Sequence, residues 1–301
     1  MRTLRFILSL VLLTPSLGAA QVVGLNDEVF RTTEDIGRGE WFRFFSPTGR
    51  VTVTEGRGSE VEVRAEKILR SGRVSDIGFV VRRSGGSVTI CAVYDEQDEC
   101  TTQGVRTDRR WNNRGRNWRP PTLEVTISVP AGIRLHVGSG NGDVAVSGAQ
   151  AELVARSGNG TVRVNGANGE VDAASGNGAV TVENVRGPVT ASSGNGDVRV
   201  RAIRGPVSAR SGNGALIISM DEMSRDDNMD FTTGNGRIEI TLPGDFSAEI
   251  DASTSNGGIQ TDFPIQVTGR MTRSRLRGTI GRGGPRIRLV SGNGSIVLRR
   301  R

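Results

Sequence analysis

The stretch "SGNGDVRVRAIRGPVSARSGNG", residues 193–214, begins and ends with the same four letters, 18 residues apart. This tetrapeptide recurs along the chain. Copies of SGNG begin at Ser139, Ser157, Ser175, Ser193 and Ser211. Related copies follow as TGNG at Thr233, SNGG at Ser255 and SGNG at Ser291. A fixed period of this length indicates a repeat architecture, in which each unit packs against its neighbours.

Apolar and polar residues alternate within each unit. Val198 and Val200 follow the motif with Arg199 between them, and Val207 and Ala209 occupy the second half. Such alternation is typical of a strand with one buried face. Because the phase is the same in every unit, successive units are expected to stack as coils, with parallel strands ~4.8 Å apart. We therefore predict an all-β fold, a single-chain parallel β-solenoid of the β-helix or β-roll type. It has 18-residue coils with two strands per coil.

The SGNG motif is predicted to form the corner between the two sheets. Gly and Asn accept a positive φ more readily than other residues, and we expect the corner to require it. Stacked corners would also place the asparagines in a column whose amides hydrogen-bond from coil to coil. The predicted column contains Asn141, Asn159, Asn177, Asn195, Asn213, Asn235 and Asn293.

The chain divides into a leader, a lead-in segment and the solenoid. Residues 1–20 carry Arg2 and Arg5 before an apolar run and end in small residues, which is typical of a secretory signal peptide. Residues 21–40 are predicted to be an irregular lead or N-terminal cap, and residues 41–301 the solenoid. Its parts are irregular coils at 41–138 with an Arg/Trp-rich insertion at 106–121, regular coils at 139–214, and longer coils with the C-terminal end at 215–301.

A signal peptide implies export. No later segment has the ~20 apolar residues that a spanning helix needs, so we expect no transmembrane segment after signal cleavage. The expected location is extracytoplasmic, meaning periplasmic, cell-surface or secreted. With 42 glycines and only 4% aromatic residues, the core must be narrow and built from Val, Ile and Ala. The formal net charge is +7, and every basic residue except Lys67 is arginine.

The two cysteines, Cys91 and Cys100, enclose the acidic loop "AVYDEQDE". In an oxidising compartment this even count and short spacing predict a disulfide. A zinc site is disfavoured, because two cysteines and the distant His136 do not complete a tetrahedral ligand set.

The repeated "SGNG.V.V" strands, the "VP.G..L.V" approach and the closing "GRGGPRIRLVSGNGSIVL" resemble the bacterial "putative adhesin" family of unknown function. The resemblance covers about residues 41–301 and implies an exported or envelope-associated β-solenoid. It implies no catalytic residues. The Arg-rich insertion before residue 122 departs from the family pattern, so the resemblance assigns it no role.

Calcium rolls and enzymes are two alternatives. The calcium-binding β-roll also uses 18-residue coils but needs an Asp in every turn, and here most coils lack one. The acidic stretches 95–99 and 221–230 could each hold one Ca²⁺, although solvated loops are the simpler interpretation. His136 lacks a partner in any catalytic motif. We predict no catalytic residue, no metal and no cofactor.

The stretch "RTDRRWNNRGRNWRPP", residues 106–121, is the candidate binding surface. Arginines interleaved with tryptophans can bind sugars by stacking and anionic polymers by charge. A solvated insertion without a ligand explains the stretch equally well. The candidate residues are Arg106, Arg109, Arg110, Trp111, Arg114, Arg116, Trp118 and Arg119. A second basic zone is the C-terminus, where Arg299, Arg300 and Arg301 are expected to blunt the exposed edge of the last coil.

Three functions remain open on the sequence alone. The first is a non-enzymatic, adhesin-like binding or scaffolding protein of the cell envelope, with an anionic envelope polysaccharide or another envelope protein as partner. The second is a polysaccharide-processing β-helix enzyme, and the third is an envelope-stress signalling partner that acts by strand addition. Nucleic acid is not expected as a partner, because the protein is expected outside the cytoplasm.

Overall fold

The computed structural model describes residues 22–69, 72–106, 120–223 and 228–301. Within these residues the chain forms a 14-stranded sheet (sheet A), a 12-stranded sheet (sheet B) and a two-stranded hairpin. The signal peptide predicted at 1–20 lies outside the described residues.

Strands are numbered in chain order. Sheet A contains β1 (Val22–Val23), β3 (Trp41–Thr48), β6 (Gly78–Ser84), β7 (Ser87–Val93), β11 (Arg134–Asn141), β13 (Leu153–Ser157), β15 (Val171–Ser175), β17 (Val189–Ser193), β19 (Val207–Ser211), β21 (Met229–Asn235), β23 (Ala248–Asn256), β25 (Ile265–Val267), β26 (Arg275–Ile280) and β27 (Arg286–Asn293). Sheet B contains β2 (Val29–Glu34), β4 (Arg50–Glu55), β5 (Val61–Ile68), β10 (Thr122–Val129), β12 (Val144–Ala149), β14 (Val162–Ala167), β16 (Val180–Arg186), β18 (Val198–Arg204), β20 (Leu216–Met220), β22 (Ile238–Leu242), β24 (Ile259–Thr261) and β28 (Ile296–Arg300). The hairpin consists of β8 (Glu99–Thr101) and β9 (Gly104–Arg106), and a 3-10 helix covers Val74–Asp76.

The central coils confirm the predicted β-solenoid. From β11 to β22 each coil contributes one strand to each sheet, and each strand pairs in parallel with the strand of the next coil. The register follows the repeat, so that Val162 pairs with Val180 and Val180 with Val198. Identical side chains therefore lie above one another because the chain returns to the same phase with every coil.

A narrow core lies between the two sheets. Val162 and Val180 in sheet B, and Ala173 in sheet A, are fully buried. One continuous hydrophobic cluster extends from Phe30 near the N-terminus to Leu298 near the C-terminus. Small and branched residues suffice because the facing sheets are close, which explains the scarcity of aromatic side chains.

The corners correct one expectation. In the regular coils, residues 139–214, no SGNG glycine or asparagine has a positive φ, so conformational freedom does not explain the motif. The reason for glycine is close approach. A Cβ added to Gly176 or Gly178 would lie closer than 3.0 Å to the backbone of the coil before it, at Gly158 and Gly160. The stacked corner therefore has no room for any side chain at these positions.

The coils do not follow one another in sequence order at the C-terminal end. Strand β27 lies between β21 and β23 in sheet A, and β28 lies between β22 and β24 in sheet B. The last coil of the chain is thus inserted between two earlier coils. The expectation that Arg299–Arg301 blunt an exposed edge is wrong, because β28 is paired on both sides. Arg299 instead forms an ion pair with Glu239 at 2.7 Å, and Arg301 pairs with Asp221.

The N-terminal end is closed by antiparallel strands. Residues 21–40 were expected to form an irregular lead or cap, but the segment contains β1 and β2, which pair antiparallel with β6 and β5. The rings of Phe30 and Phe79 stack across the two sheets at 4.2 Å. Four residues farther along the same two strands, the buried carboxylate of Glu34 accepts a hydrogen bond from Arg83 at 2.6 Å. The segment is thus an ordered cap with its own hydrophobic and ionic contacts.

The one lysine of the chain is part of this cap. The ammonium group of Lys67 donates to the carbonyl oxygens of Gly24, Leu25 and Val74 at 2.6, 3.1 and 3.0 Å. Burial lowers the pKa of Lys67 to about 8. A compact ammonium with three donors satisfies three converging carbonyls, which a planar guanidinium would not do in the same space.

Candidate functional site

The asparagine column runs the length of the solenoid. Beyond Asn141, which donates to the Pro47 carbonyl at 3.5 Å, each side-chain amide donates to the side-chain amide oxygen of the adjacent coil at 2.6 or 2.7 Å. The column order is Asn141, Asn159, Asn177, Asn195, Asn213, Asn235, Asn293 and Asn256. Asn256 was missed because the motif in its coil begins at Thr254, one residue earlier than the sequence suggested. All of these side chains are exposed, so the column is a structural ladder on the surface.

Substitution of Asn177 by Ala should lower the free energy of unfolding by ~1 kcal/mol. Asn177 donates to Asn159 at 2.6 Å and accepts from Asn195 at 2.7 Å, so the variant loses two bonds. Asn141→Ala, at the end of the asparagine column, is the control and should cost less. Chemical denaturation measures both values, and equal or zero changes would contradict the ladder.

A second column of hydroxyl groups lies beneath the asparagines. In each coil the first residue of the motif donates its hydroxyl to the carbonyl of the last glycine in the neighbouring coil. Ser175 donates to Gly160 at 2.7 Å and Ser193 to Gly178 at 2.8 Å. Sequence reasoning assigned no role to this serine, although its replacement by Thr at 233 preserves the hydroxyl. The buried serines thus satisfy corner carbonyls that would otherwise lack a partner.

The same register reveals a hidden corner motif near the N-terminus. Ser46 pairs with Ser139 and Thr48 with Asn141, so the segment "SPTG" at 46–49 occupies the corner of the first coil. The hydroxyl of Ser139 donates to the Gly49 carbonyl at 2.7 Å. Residues 41–55 are therefore stacked directly on residues 134–149.

The disulfide joins Cys91 and Cys100, with an S–S distance of 2.01 Å. Both cysteines are buried on the outer side of sheet A, in a small cluster with Phe45, Val80 and Val93. The bond holds the β8–β9 hairpin against the sheet. In the loop between β7 and β8, the carboxylate of Asp98 accepts hydrogen bonds from the backbone amides of Tyr94 and Asp95, which gives this acid a structural role.

The candidate binding stretch begins where the hairpin ends. Arg106 closes β9 and lies 3.8 Å from Glu99, with both side chains exposed. The other candidates lie outside the described residues: Arg109, Arg110, Trp111, Arg114, Arg116, Trp118 and Arg119.

A cluster that sequence reasoning missed lies beside the hairpin, on the outer face of sheet A. The register places Trp41 next to Arg134, and Arg43 next to His136. The guanidinium carbon of Arg43 lies 5.0 Å from the centroid of the Trp41 ring, and that of Arg134 lies 5.8 Å from it. Both distances are within the range of cation–π attraction. Arg82 lies two strands from Arg43 on the same face, with Thr89 between them.

His136 lies at the boundary between this cluster and the hairpin. Its ring packs edge-on against Phe45 at 4.8 Å. Burial, with added repulsion from Arg156 and Arg43, lowers the pKa of His136 to about 4, and a hydrogen bond with the Thr102 backbone acts in the opposite direction. The imidazole is therefore uncharged at neutral pH. It packs against an aromatic ring and lies within electrostatic range of two cations, a setting that suits a packed side chain.

In the acidic stretches, Glu99, Asp221 and Asp230 form ion pairs with arginines. Asp230 pairs with Arg288 at 2.9 Å and with Arg210 at 3.5 Å. These two arginines and the Thr232 hydroxyl outweigh burial, so the pKa of Asp230 is lowered. In the described part of the chain, no three His, Cys, Asp or Glu side chains converge in a way that could hold a metal ion.

A family model named Toastrack DUF4097 matches residues 48–299. The chain belongs to the Toastrack DUF4097 family. None of the curated proteins compared with this Toastrack chain matches it.

The solved structures that match this chain are distant from it in sequence. A "putative adhesin" from Bacteroides fragilis is 11% identical, with a TM-score of 0.45, and the match covers 91% of this chain and 98% of that one. A "putative lipid binding protein" from Parabacteroides distasonis is also 11% identical, with a TM-score of 0.45 and coverage of 91% and 97%. A "putative cell adhesion protein" from Clostridium sporogenes is 9% identical, with a TM-score of 0.25 and coverage of 91% and 100%.

The described residues of this Toastrack protein include no helix with the length and hydropathy needed to cross a membrane.

Proposed function

We propose that this Toastrack protein is an exported, non-enzymatic scaffold that binds a polymer of the cell envelope through its outer faces. The observation that carries the proposal is the regular spacing of outward side chains. Parallel coils repeat at ~4.8 Å, so each outer position becomes a regularly spaced row of side chains along the stack. A repetitive surface suits a ligand that is itself repetitive.

The outer rows carry groups that bind polar polymers. On sheet A the row through Asp172 continues to Thr190 and Ser208, and Arg156 forms an ion pair with Asp172 from the adjacent row. Toward the C-terminus Asp251 joins Arg277 and Arg286 in a charged network, at 3.2 and 2.6 Å. Hydroxyl, carboxylate and guanidinium groups are the chemistry by which proteins hold sugars and their anionic substituents.

Retention on immobilised polymers tests the proposal. We expect the mature protein to be retained on a carboxylated or phosphorylated polysaccharide, without release of new reducing ends. Retention should weaken as salt rises, because a Debye length of about 10 Å at 0.1 M screens exposed charge pairs. Release of reducing ends would instead indicate the polysaccharide-processing enzyme.

Deletion of residues 107–119 tests whether the Arg/Trp-rich insertion contributes to polymer binding. If the insertion binds the polymer, its loss should weaken retention at every salt concentration, because stacking by Trp111 and Trp118 is not screened by ions. Unchanged retention would assign binding to the described faces of the solenoid. A melting curve of the deletion variant is the control for folding.

A further inference from the structure

The outer face of sheet A is divided into two halves near the N-terminal end. The disulfide-bonded hairpin covers the half next to the SGNG corner, where Phe45, Cys91 and Val93 are buried. The half at the start of the same strands carries Trp41, Arg43 and, across the neighbouring strands, Arg82 and Arg134. We name these last four residues the sheet A platform.

The charges of the sheet A platform are incompletely neutralised. Within the described residues, neither Arg43 nor Arg82 has a carboxylate within 4.0 Å, and Arg134 reaches Glu152 only at 3.8 Å. Glu40 acts electrostatically on Arg43, and its carboxylate accepts a hydrogen bond from the Ser87 hydroxyl at 2.9 Å. The platform therefore presents guanidinium groups that can accept an external anion.

Arg43 is only half exposed. Desolvation by its surroundings lowers the pKa of Arg43, although Glu40 acts in the opposite direction. A partly buried cation without an ion-pair partner is unfavourable, because it has lost water without gaining a counter-charge. An anion bound at this position would replace the lost solvation.

Trp41 limits the freedom of the two arginines beside it. Its ring is within cation–π distance of both Arg43 and Arg134. The backbone amide of Trp41 is fixed by the Ser87 hydroxyl at 3.2 Å. Holding the guanidinium groups before binding reduces the entropy lost when a ligand arrives.

We propose that the sheet A platform binds the anionic groups of an envelope polymer, with Arg43 and Arg82 as the principal contacts and Trp41 as a positioning residue. This inference rests on the proposed function and narrows it to one place and one ligand chemistry. Arg43 and Arg82 are two strands apart, roughly 10 Å, so they can engage two anionic groups along one polymer chain. Carboxylate and phosphate both match the guanidinium fork.

Binding measurements on full-length mature protein test this site. The probes are polygalacturonate, polyphosphate and neutral dextran. The double variant Arg43→Gln with Arg82→Gln keeps side-chain length while removing two charges, and we expect at least about tenfold weaker binding of the anionic probe that wild type prefers. Trp41→Ala should also weaken binding, and Trp41→Phe should recover most of it because an aromatic face remains.

The matched control is Arg186→Gln with Arg204→Gln. These exposed arginines pair across β16 and β18 on sheet B, so the control removes the same net charge from a different surface. Full binding by the control and weak binding by the platform variant would support the site. Equal losses in both variants would overturn the platform while leaving the proposed function intact. Failure of wild type to bind either anionic probe would overturn both.

The single histidine provides a second readout that does not depend on affinity alone. Arg43 pairs with His136 in the register and, together with Arg156, helps to lower its pKa, so an anion bound at Arg43 should raise it. We expect polygalacturonate or polyphosphate to shift the NMR titration of His136 to higher pH in wild type and in the sheet B control. Unchanged His136 titration in saturated wild type would place the ligand elsewhere and overturn the proposal.

Discussion

Truncation of the chain after Gly284 should unfold the C-terminal coils of the solenoid. The deletion removes β27 and β28, which separate the coil of β21 and β22 from the coil of β23 and β24. Four fully buried side chains are lost: Ile287, Leu289, Ile296 and Leu298. At ~2 kcal/mol each, their burial contributes about 8 kcal/mol, comparable with the total stability of many domains.

Hydrogen exchange and limited proteolysis measure this effect. We expect residues 229–261 to lose protection in the truncated protein, while the regular coils at 139–214 keep theirs. A chain that ends at Leu298 is the control. It loses only Arg299–Arg301, whose exposed ion pairs with Glu239 and Asp221 contribute little, so its melting temperature should hardly change. Retained protection of residues 229–261 in the longer truncation would contradict the inserted position of the last coil.

Replacement of Gly196 by Ala should destabilise the protein by about 3 kcal/mol. The new Cβ would lie closer than 3.0 Å to the backbone of Gly178 and Ala179 in the preceding coil. Backbone atoms cannot move aside as a flexible side chain can, so the two coils would have to separate. Denaturant unfolding of the variant gives the free energy directly.

Gly37→Ala is the matched control for this substitution. Gly37 has no positive φ, and its nearest neighbour to an added Cβ is the Cγ of Glu40 at 3.8 Å. Its effect should stay within about 0.5 kcal/mol. If Gly196→Ala were equally mild, the corners would not be stacked as tightly as described.

The repeat predicted the central fold because it places equivalent residues at the same position in every coil. Val162, Val180 and Val198 share one phase, so their stacking needed no other information. Phase alone does not say which coils are neighbours. The SGNG at Ser291 is identical to the earlier copies, and nothing local shows that it stacks on Thr233 and Thr254 rather than following the latter. The position of the last coil depends on residues 262–285, which lead the chain back between the two earlier coils.

The candidate binding residues likewise include some that the sequence predicts and some that only the strand pairing brings together. The Arg/Trp insertion was visible because its residues are contiguous, whereas the sheet A platform combines Trp41 with Arg134 and Arg43 with Arg82. Alternation along β3 indicates that Trp41 and Arg43 face outward, but their neighbours follow from β3 pairing with β7 and β11. The sequence did not predict that β3 pairs with β11, because the corner "SPTG" at 46–49 shares only its Ser and its final Gly with SGNG.

The regular phase of the central coils makes the length of the molecule adjustable. The N-terminal end is closed by Phe30 and Phe79, and near the C-terminal end Phe246 and Phe263 pack edge-on at 4.7 Å. Between them, a coil such as 157–174 presents the same upper and lower surfaces as its neighbours. Duplication or loss of 18 codons in the gene would therefore change the distance between the ends by ~4.8 Å without altering either one. Selection can therefore set the distance between the two capped ends in uniform steps of one coil.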